Sequence, residues 1–100
     1  MLAVFFTCEM SERKAKVANR YPCPCCGFLT LPEEPPGSFD ICPVCDWEDD
    51  HVQYDDPDYA GGANEMSLNQ ARQNYLEFGA SSREFLRYAR KPLPEEIPPD

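Results

Sequence analysis

Residues 21–47 read YPCPCCGFLTLPEEPPGSFDICPVCDW, and the fold turns on how the five cysteines in that stretch are used. Two short segments share one outline. CPCCGF (residues 23–28) and CPVCDW (residues 42–47) both follow C-P-x-C-[G/D]-aromatic. Fifteen residues separate the pairs, so the stretch is C-x2-C-x15-C-x2-C, the spacing of a tetrahedral metal site. In such a knuckle the two sulfurs lie on one side of a tight turn, and backbone N–H groups after the first cysteine point at them. Pro24 and Pro43 preset φ for the turn. Gly27 takes the positive φ that closes it, and Asp46 fills the matching place because Asp tolerates that conformation better than most residues. Cys23, Cys26, Cys42 and Cys45 are therefore the metal ligands. The competing reading is two redox-active C-x-x-C pairs or disulfides, and thiols in a cytosolic chain stay reduced. Redox work would require one motif at a helix N-terminus within a βαβ pattern, which is missing.

Four thiolates suit Zn2+, and the same cage would hold a rubredoxin-type iron. Spacing does not choose between the two. Zinc is the default in a closed four-cysteine site, which leaves no open position for substrate. Two cysteines are surplus. Cys25 sits at the x position of the first knuckle, where Val44 stands in the second, and its side chain should point away from the cage. A small partly buried thiol is the plain reading; a thiol redox switch is the sharper one. Cys8 reads as a free thiol without a role.

The rest of the chain is read outward from this module. Its 100 residues suffice for one small domain, and such domains often need a metal to supplement a thin core. We expect an N-terminal appendage over 1–20, a domain over 21–91 and a Pro-rich, extended tail over 92–100. Residues 9–18 have helix-forming composition, and Met10 would serve as a start, which makes residues 1–9 a candidate upstream extension. Within the cysteine module, residues 28–31 and 39–41 suit strands joined through PEEPPGS as a hairpin. Residues 48–66 read as acidic and irregular, since Pro57 and Gly61-Gly62 forbid a continuous helix. Residues 67–79 are the clearest helix: Ser67 with Gln70 forms a capping box, Leu68, Ala71, Tyr75, Leu76 and Phe78 lie mainly on one face, and Gly79 stops it. A second capping box, Ser81 with Glu84, predicts a further helix ending before Pro92. The fold class is a small metal-stabilised α+β domain: zinc-ribbon or rubredoxin-like knuckles, a short β-hairpin and two C-terminal α-helices.

Charge narrows function. With 18 Asp and Glu against 9 Lys and Arg the net charge is −9, and such a surface repels phosphates. We expect no nucleic-acid partner, despite basic patches in SERKAK and REFLRYARK. The longest apolar run, MLAVFF, falls far short of the ~18 residues a membrane span needs. It also lacks the features of a secretory signal, so the chain reads as cytoplasmic. His51, the only histidine, is a candidate fifth ligand or base, but a lone histidine beside a complete ligand set is more simply a surface residue. The crowded carboxylates of residues 48–58 do not fit a calcium loop: counted from Asp56, the fifth place is Ala60 and the twelfth is Ser67. We assign Asp58 and Asn64 to turn-capping and the EDD run of residues 48–50 to electrostatic docking. GGAN lacks the strand and lysine of a phosphate loop and reads as a tight bend. Tyr21, Phe28, Phe39 and Trp47 flank the knuckles and should form a mini-core, with Trp47 against the helix of residues 67–78.

Taken in order, CPCC, C-P-x-C-x-W-E-D-D, GGAN and S-L-x-x-A-x-x-N make the chain from about Tyr21 to Glu96 resemble the bacterial cysteine-rich CPCC family. The resemblance implies a zinc-ribbon-like, metal-binding protein. It also implies small cargo of accessory loci, toxin–immunity neighbourhoods included. The leading expectation is a non-enzymatic protein-interaction module with a structural metal and an unidentified protein partner; the rival is iron-based electron transfer.

Overall fold

A computed structural model describes residues 20–99. The expected helix or arm within residues 9–18, the extension over 1–9 and Cys8 lie outside the described residues.

Each cysteine knuckle closes its own small hairpin. β1 (Tyr21–Pro22) and β2 (Leu29–Leu31) flank CPCCGF and pair antiparallel, Tyr21 with Leu31 and Pro22 with Leu29. The expected pairing of residues 28–31 with 39–41 does not form. Residues 39–41 pair instead with Glu48 and Asp49 across the second knuckle, which leaves residues 29–31 to Tyr21–Pro22. Cys23 N–H donates to Phe28 O (2.9 Å) and Gly27 N–H to Cys23 O (2.8 Å). Nineteen residues on, Cys42 N–H donates to Trp47 O (2.9 Å) and Asp46 N–H to Cys42 O (2.8 Å). An antiparallel bridge between Ile41 and Glu48 brackets this second turn. Gly27 has φ 83° and Asp46 has φ 68°, the left-handed conformation read from the sequence at both positions.

Residues 32–40 are held to the second knuckle by Asp49, which is fully buried. Its Oδ2 accepts from the N–H and hydroxyl of Ser38, both at 3.0 Å. Its own N–H donates to Asp40 O, and its carbonyl accepts from Phe39 N–H. Phe39 is placed at φ 62° and is 58% exposed, so it does not join the mini-core expected of it.

The acidic stretch contains a short helix, α1 (His51–Asp55). Asp50 caps it, its Oδ1 accepting from Val52 N–H (2.7 Å) and Gln53 N–H (3.2 Å). α2 (Leu68–Phe78) begins at Ser67, whose hydroxyl accepts from Gln70 N–H, and ends at Gly79 with φ 93°. Its inner face is Leu68 and Ala71, with Tyr75 partly covered; Leu76, expected on that face, is 80% exposed. The second predicted helix is a 3-10 segment, Arg83–Tyr88. Ser81 does not cap it: the residue is buried, its N–H donates to Cys45 O (2.8 Å), and its carbonyl accepts from Asn74 Nδ2 (2.8 Å). Anchoring Ser81 to the second knuckle removes it from the capping position. The chain after Pro92 turns once more in 3-10 form at Pro94–Glu96, against β2. Arg90 grips the buried Glu96 through two bonds (2.9 and 2.8 Å), which tucks this part of the expected extended tail against the fold.

The core is small and sulfur-rich. Cys23, Cys25, Cys42, Val44, Cys45, Leu31, Trp47, Leu68 and Ala71 form one buried cluster, with Tyr21, Cys26, Phe28, Met66 and Tyr75 at its edge. Trp47 thus shares the core with the α2 residues Leu68 and Ala71, as anticipated. Among the described residues no helix is long and apolar enough to cross a membrane.

Candidate metal centre

The twin knuckles bring Cys23, Cys26, Cys42 and Cys45 together, with all four sulfurs within 4.8 Å of one another. The Cys23–Cys45 and Cys26–Cys42 sulfur pairs are both 3.7 Å apart. A disulfide requires about 2.05 Å. A regular tetrahedron built on Zn–S bonds of ~2.3 Å has edges of about 3.8 Å. The arrangement therefore fits a tetrahedral tetrathiolate, and all four cysteines are free of disulfides. A metal held there would be coordinatively closed and would act by cross-linking the two knuckles.

The sulfurs are not equivalent. Cys25 N–H points at Cys23 Sγ and Val44 N–H at Cys42 Sγ, each at 3.4 Å, at matching places in the two turns. Cys42 receives one more donor. The Thr30 hydroxyl lies 3.0 Å from its Sγ, and Thr30 is buried. The β1–β2 register is irregular between Tyr21 and Pro22, so that Thr30 is the unpaired residue on β2. A bulge of this kind re-aims a side chain, here toward the cage. Thr30 was read from the sequence only as strand former, since a β-branched residue in an apolar run does not announce a sulfur partner 12 positions away.

Hydrogen bonding with the Cys23 sulfur first, then with Cys42 for Cys26 and with Cys25 for Cys45, pushes both thiols up. Cys42 goes the other way: it accepts from Cys23 first, then from Cys26, Cys45 and Thr30, which hold it well below an ordinary thiol. Tyr75, at the edge of the cage, has its phenol pushed up to about 12 by burial and by the nearby sulfurs.

Cys25 is surplus to the four-sulfur group, as expected, but is buried rather than turned outward. It is buried in the core cluster, as is Val44 at the equivalent position. Both x residues are apolar filler beneath the knuckles, a role a thiol fills as a small hydrophobe. It stands outside the four-sulfur group. His51 is not a ligand: it lies on the exposed side of α1 and pairs with Asp55 at 2.7 Å, both side chains more than 60% exposed.

Within the EDD run, Asp49 and Asp50 are structural, while Glu48 is only half-buried. Asp49 and Asp50 are buried. Desolvation alone would raise Asp50, but the N–H groups of Ala63, Gln53 and Val52 outweigh it and hold the carboxyl below its usual range. Asn64 does cap, and does more than cap. Its side-chain Oδ1 accepts from Glu48 N–H (2.9 Å) and its Nδ2 donates to Glu48 O (2.8 Å), so one amide imitates a strand partner. Asp58 accepts from Asn69 Nδ2 at 2.8 Å, which links the loop to α2, while Asp56 Oδ1 takes Asp58 N–H.

Gln53 escaped the sequence reading altogether. It is fully buried, and its amide NH2 faces the carbonyls of Tyr59, Asn64 and Met66 at 2.9–3.1 Å. Its Oε1 accepts from Asn64 N–H and Nδ2. Gln53 thereby shapes the GGAN bend that carries the chain from the second knuckle into α2. The available signal was the Asp50-x-x-Gln53 spacing, a capping-box pattern in a stretch otherwise read as irregular.

Comparison with known proteins agrees with this geometry. No curated protein matches the chain. The profile of the cysteine-rich CPCC family matches residues 21–96, which include both knuckles, α2 and the Glu96 anchor. The chain belongs to the cysteine-rich CPCC family.

Proposed function

We propose that this is a non-enzymatic zinc protein, in which a structural Zn(Cys)4 site supports a surface for docking another protein. The carrying observation is the set of four buried or half-buried sulfurs at tetrahedral separations, with no fifth ligating side chain in the group among the described residues. A closed set of four thiolates favours folding over catalysis. Because the described core is small and built around these sulfurs, metal binding and folding should be one event.

The docking part rests on a cleft of about 340 Å³ beside the second knuckle. Asp46, Glu48, Glu65 and Glu84 line it together with Ile41 and Phe85. Ile41 and the neighbouring Phe39 are 56% and 58% exposed. Carboxylates around an apolar floor suit a partner segment that carries Lys or Arg next to an apolar residue. The proposed acidic docking thus keeps Glu48 of the EDD run and adds Asp46, Glu65 and Glu84. A place in an accessory or toxin–immunity locus remains part of the proposal and rests on the family alone.

Two measurements test it. Protein purified without added metal should be colourless and lose its circular dichroism when a chelator strips the metal; an unchanged spectrum contradicts the structural role, and a red ferric site would favour electron transfer. A pull-down with native protein should recover a basic partner that the triple variant Glu48→Gln, Glu65→Gln, Glu84→Gln fails to retain. Equal retention by the variant contradicts the cleft.

A further inference from the structure

We propose that Cys26 is the reactive sulfur of the cage, the ligand that a soft carbon electrophile alkylates first and through which the metal is lost. The proposal rests on the metal reading above and adds a modification site to it. Two observations meet at this residue. Cys23, Cys42 and Cys45 are at most 2% exposed, whereas Cys26 is only half-buried and sits at the rim of the core. Donors divide the sulfurs a second way. Cys23 receives Cys25 N–H, and Cys42 receives Val44 N–H and the Thr30 hydroxyl. Among the described residues no N–H or O–H donates to Cys26 or Cys45. A donated hydrogen withdraws charge from a thiolate and lowers its nucleophilicity, so the undonated sulfurs are the reactive ones. Burial removes Cys45 from contact with reagents. Cys26 alone combines electron density with access.

The knuckle's own construction explains the asymmetry. In C-P-x-C the N–H two residues after the first cysteine turns back onto that cysteine, so first cysteines are protected and second cysteines are not. Cys45 is instead covered by the chain around Ser81, whose N–H binds Cys45 O at 2.8 Å. Among the described residues no backbone N–H binds Cys26 O in this way. Arg72 Nε crosses to Pro24 O, one residue past Cys23, and leaves the second cysteine open.

The step balances without an oxidant. The Cys26 thiolate attacks the carbon of an alkylating agent, a sulfur–carbon bond forms, and the leaving group departs with its bonding electrons. The thiolate becomes a neutral thioether. A thioether is a far poorer zinc ligand than a thiolate, so the remaining three sulfurs hold the metal less tightly.

The test uses the full-length metal-loaded protein, substoichiometric iodoacetamide as electrophile and a chromophoric chelator in the buffer. Peptide mass mapping reports which cysteine is carboxamidomethylated, and absorbance reports metal release. The expected result is Cys26 modified at least tenfold faster than Cys23, Cys42 or Cys45, with release tracking its modification. Equal rates at all four ligands, or any other ligand modified first, overturn the proposal while leaving the metal site intact. Protein that carries no metal as purified overturns the metal reading and the proposal with it. A second variant guards the inference: Cys26→His keeps a Cys3His ligand set suited to zinc and should release metal at least tenfold more slowly under the same reagent. Release at the wild-type rate refutes the assignment.

Discussion

Gln53→Leu should be the most damaging single change outside the cage. The two side chains are close in volume, so the substitution removes polarity and creates little cavity. The lost contacts are three carbonyls facing Nε2 and two donors facing Oε1. An amide nitrogen carries two hydrogens, so about four of these five contacts can be strong at once. At roughly 1 kcal/mol for each bond, and with each stranded buried group able to cost about 1–3 kcal/mol, a loss of about 4 kcal/mol follows if the GGAN bend admits some water. That is a large part of the roughly 5–15 kcal/mol by which a domain is stable. The assay is urea unfolding of the metal-loaded protein, comparing midpoints at unchanged slope. Amide exchange supplies the local readout, because the Asn64 N–H loses its acceptor. A destabilisation below about 1 kcal/mol, or undiminished protection at Asn64, would refute the network's role.

Other changes carry their own outcomes. Gly62→Ala would place a Cβ 2.7 Å from Asp50 Oδ2 and 2.9 Å from Gln53 Cδ. Overpacking of this kind costs about 1–3 kcal/mol, measurable as a lower urea midpoint. Thr30→Val removes the hydroxyl from Cys42 at nearly constant shape. Metal affinity in chelator competition should fall about tenfold, with Thr30→Ser recovering most of it. The Arg90 guanidinium, hydrogen-bonded to Glu96, holds that carboxyl below its usual range, even though burial opposes the shift. A depressed folded pKa means the pair stabilises fully above the unfolded value of about 4.5 and that its contribution is lost as pH falls through the folded value. The melting-temperature gap between wild type and Glu96→Gln should therefore be largest near neutrality and narrow in acid; a gap that is constant with pH contradicts the pairing.

What could be read from residues alone was what depends on short range. The two C-P-x-C turns, the left-handed Gly27 and Asp46, the Ser67 cap and the Gly79 stop each rest on neighbours within four positions, where side-chain chemistry dictates conformation. The cage followed because two such turns repeat. Strand pairing did not follow, because residues 39–41 are taken by Glu48 and Asp49 across the second knuckle, which leaves Leu29–Leu31 to Tyr21–Pro22. Ser81 looked like a cap by spacing, yet its N–H was already committed to Cys45 O from 36 positions away. Gln53, Asn64 and Asp49 look like ordinary polar loop residues. Their burial is decided by the packing of the GGAN bend and the Ser38 loop against the second knuckle, and no local pattern reports that.

On the proposed reading, Cys23, Cys26, Cys42 and Cys45 hold one zinc between two matched knuckles. Zinc-edge X-ray absorption of protein purified without added metal tests it most directly. The account predicts a single shell of four sulfur scatterers at ~2.3 Å. A nitrogen or oxygen in that shell, fewer than four sulfurs, or no zinc signal would contradict it.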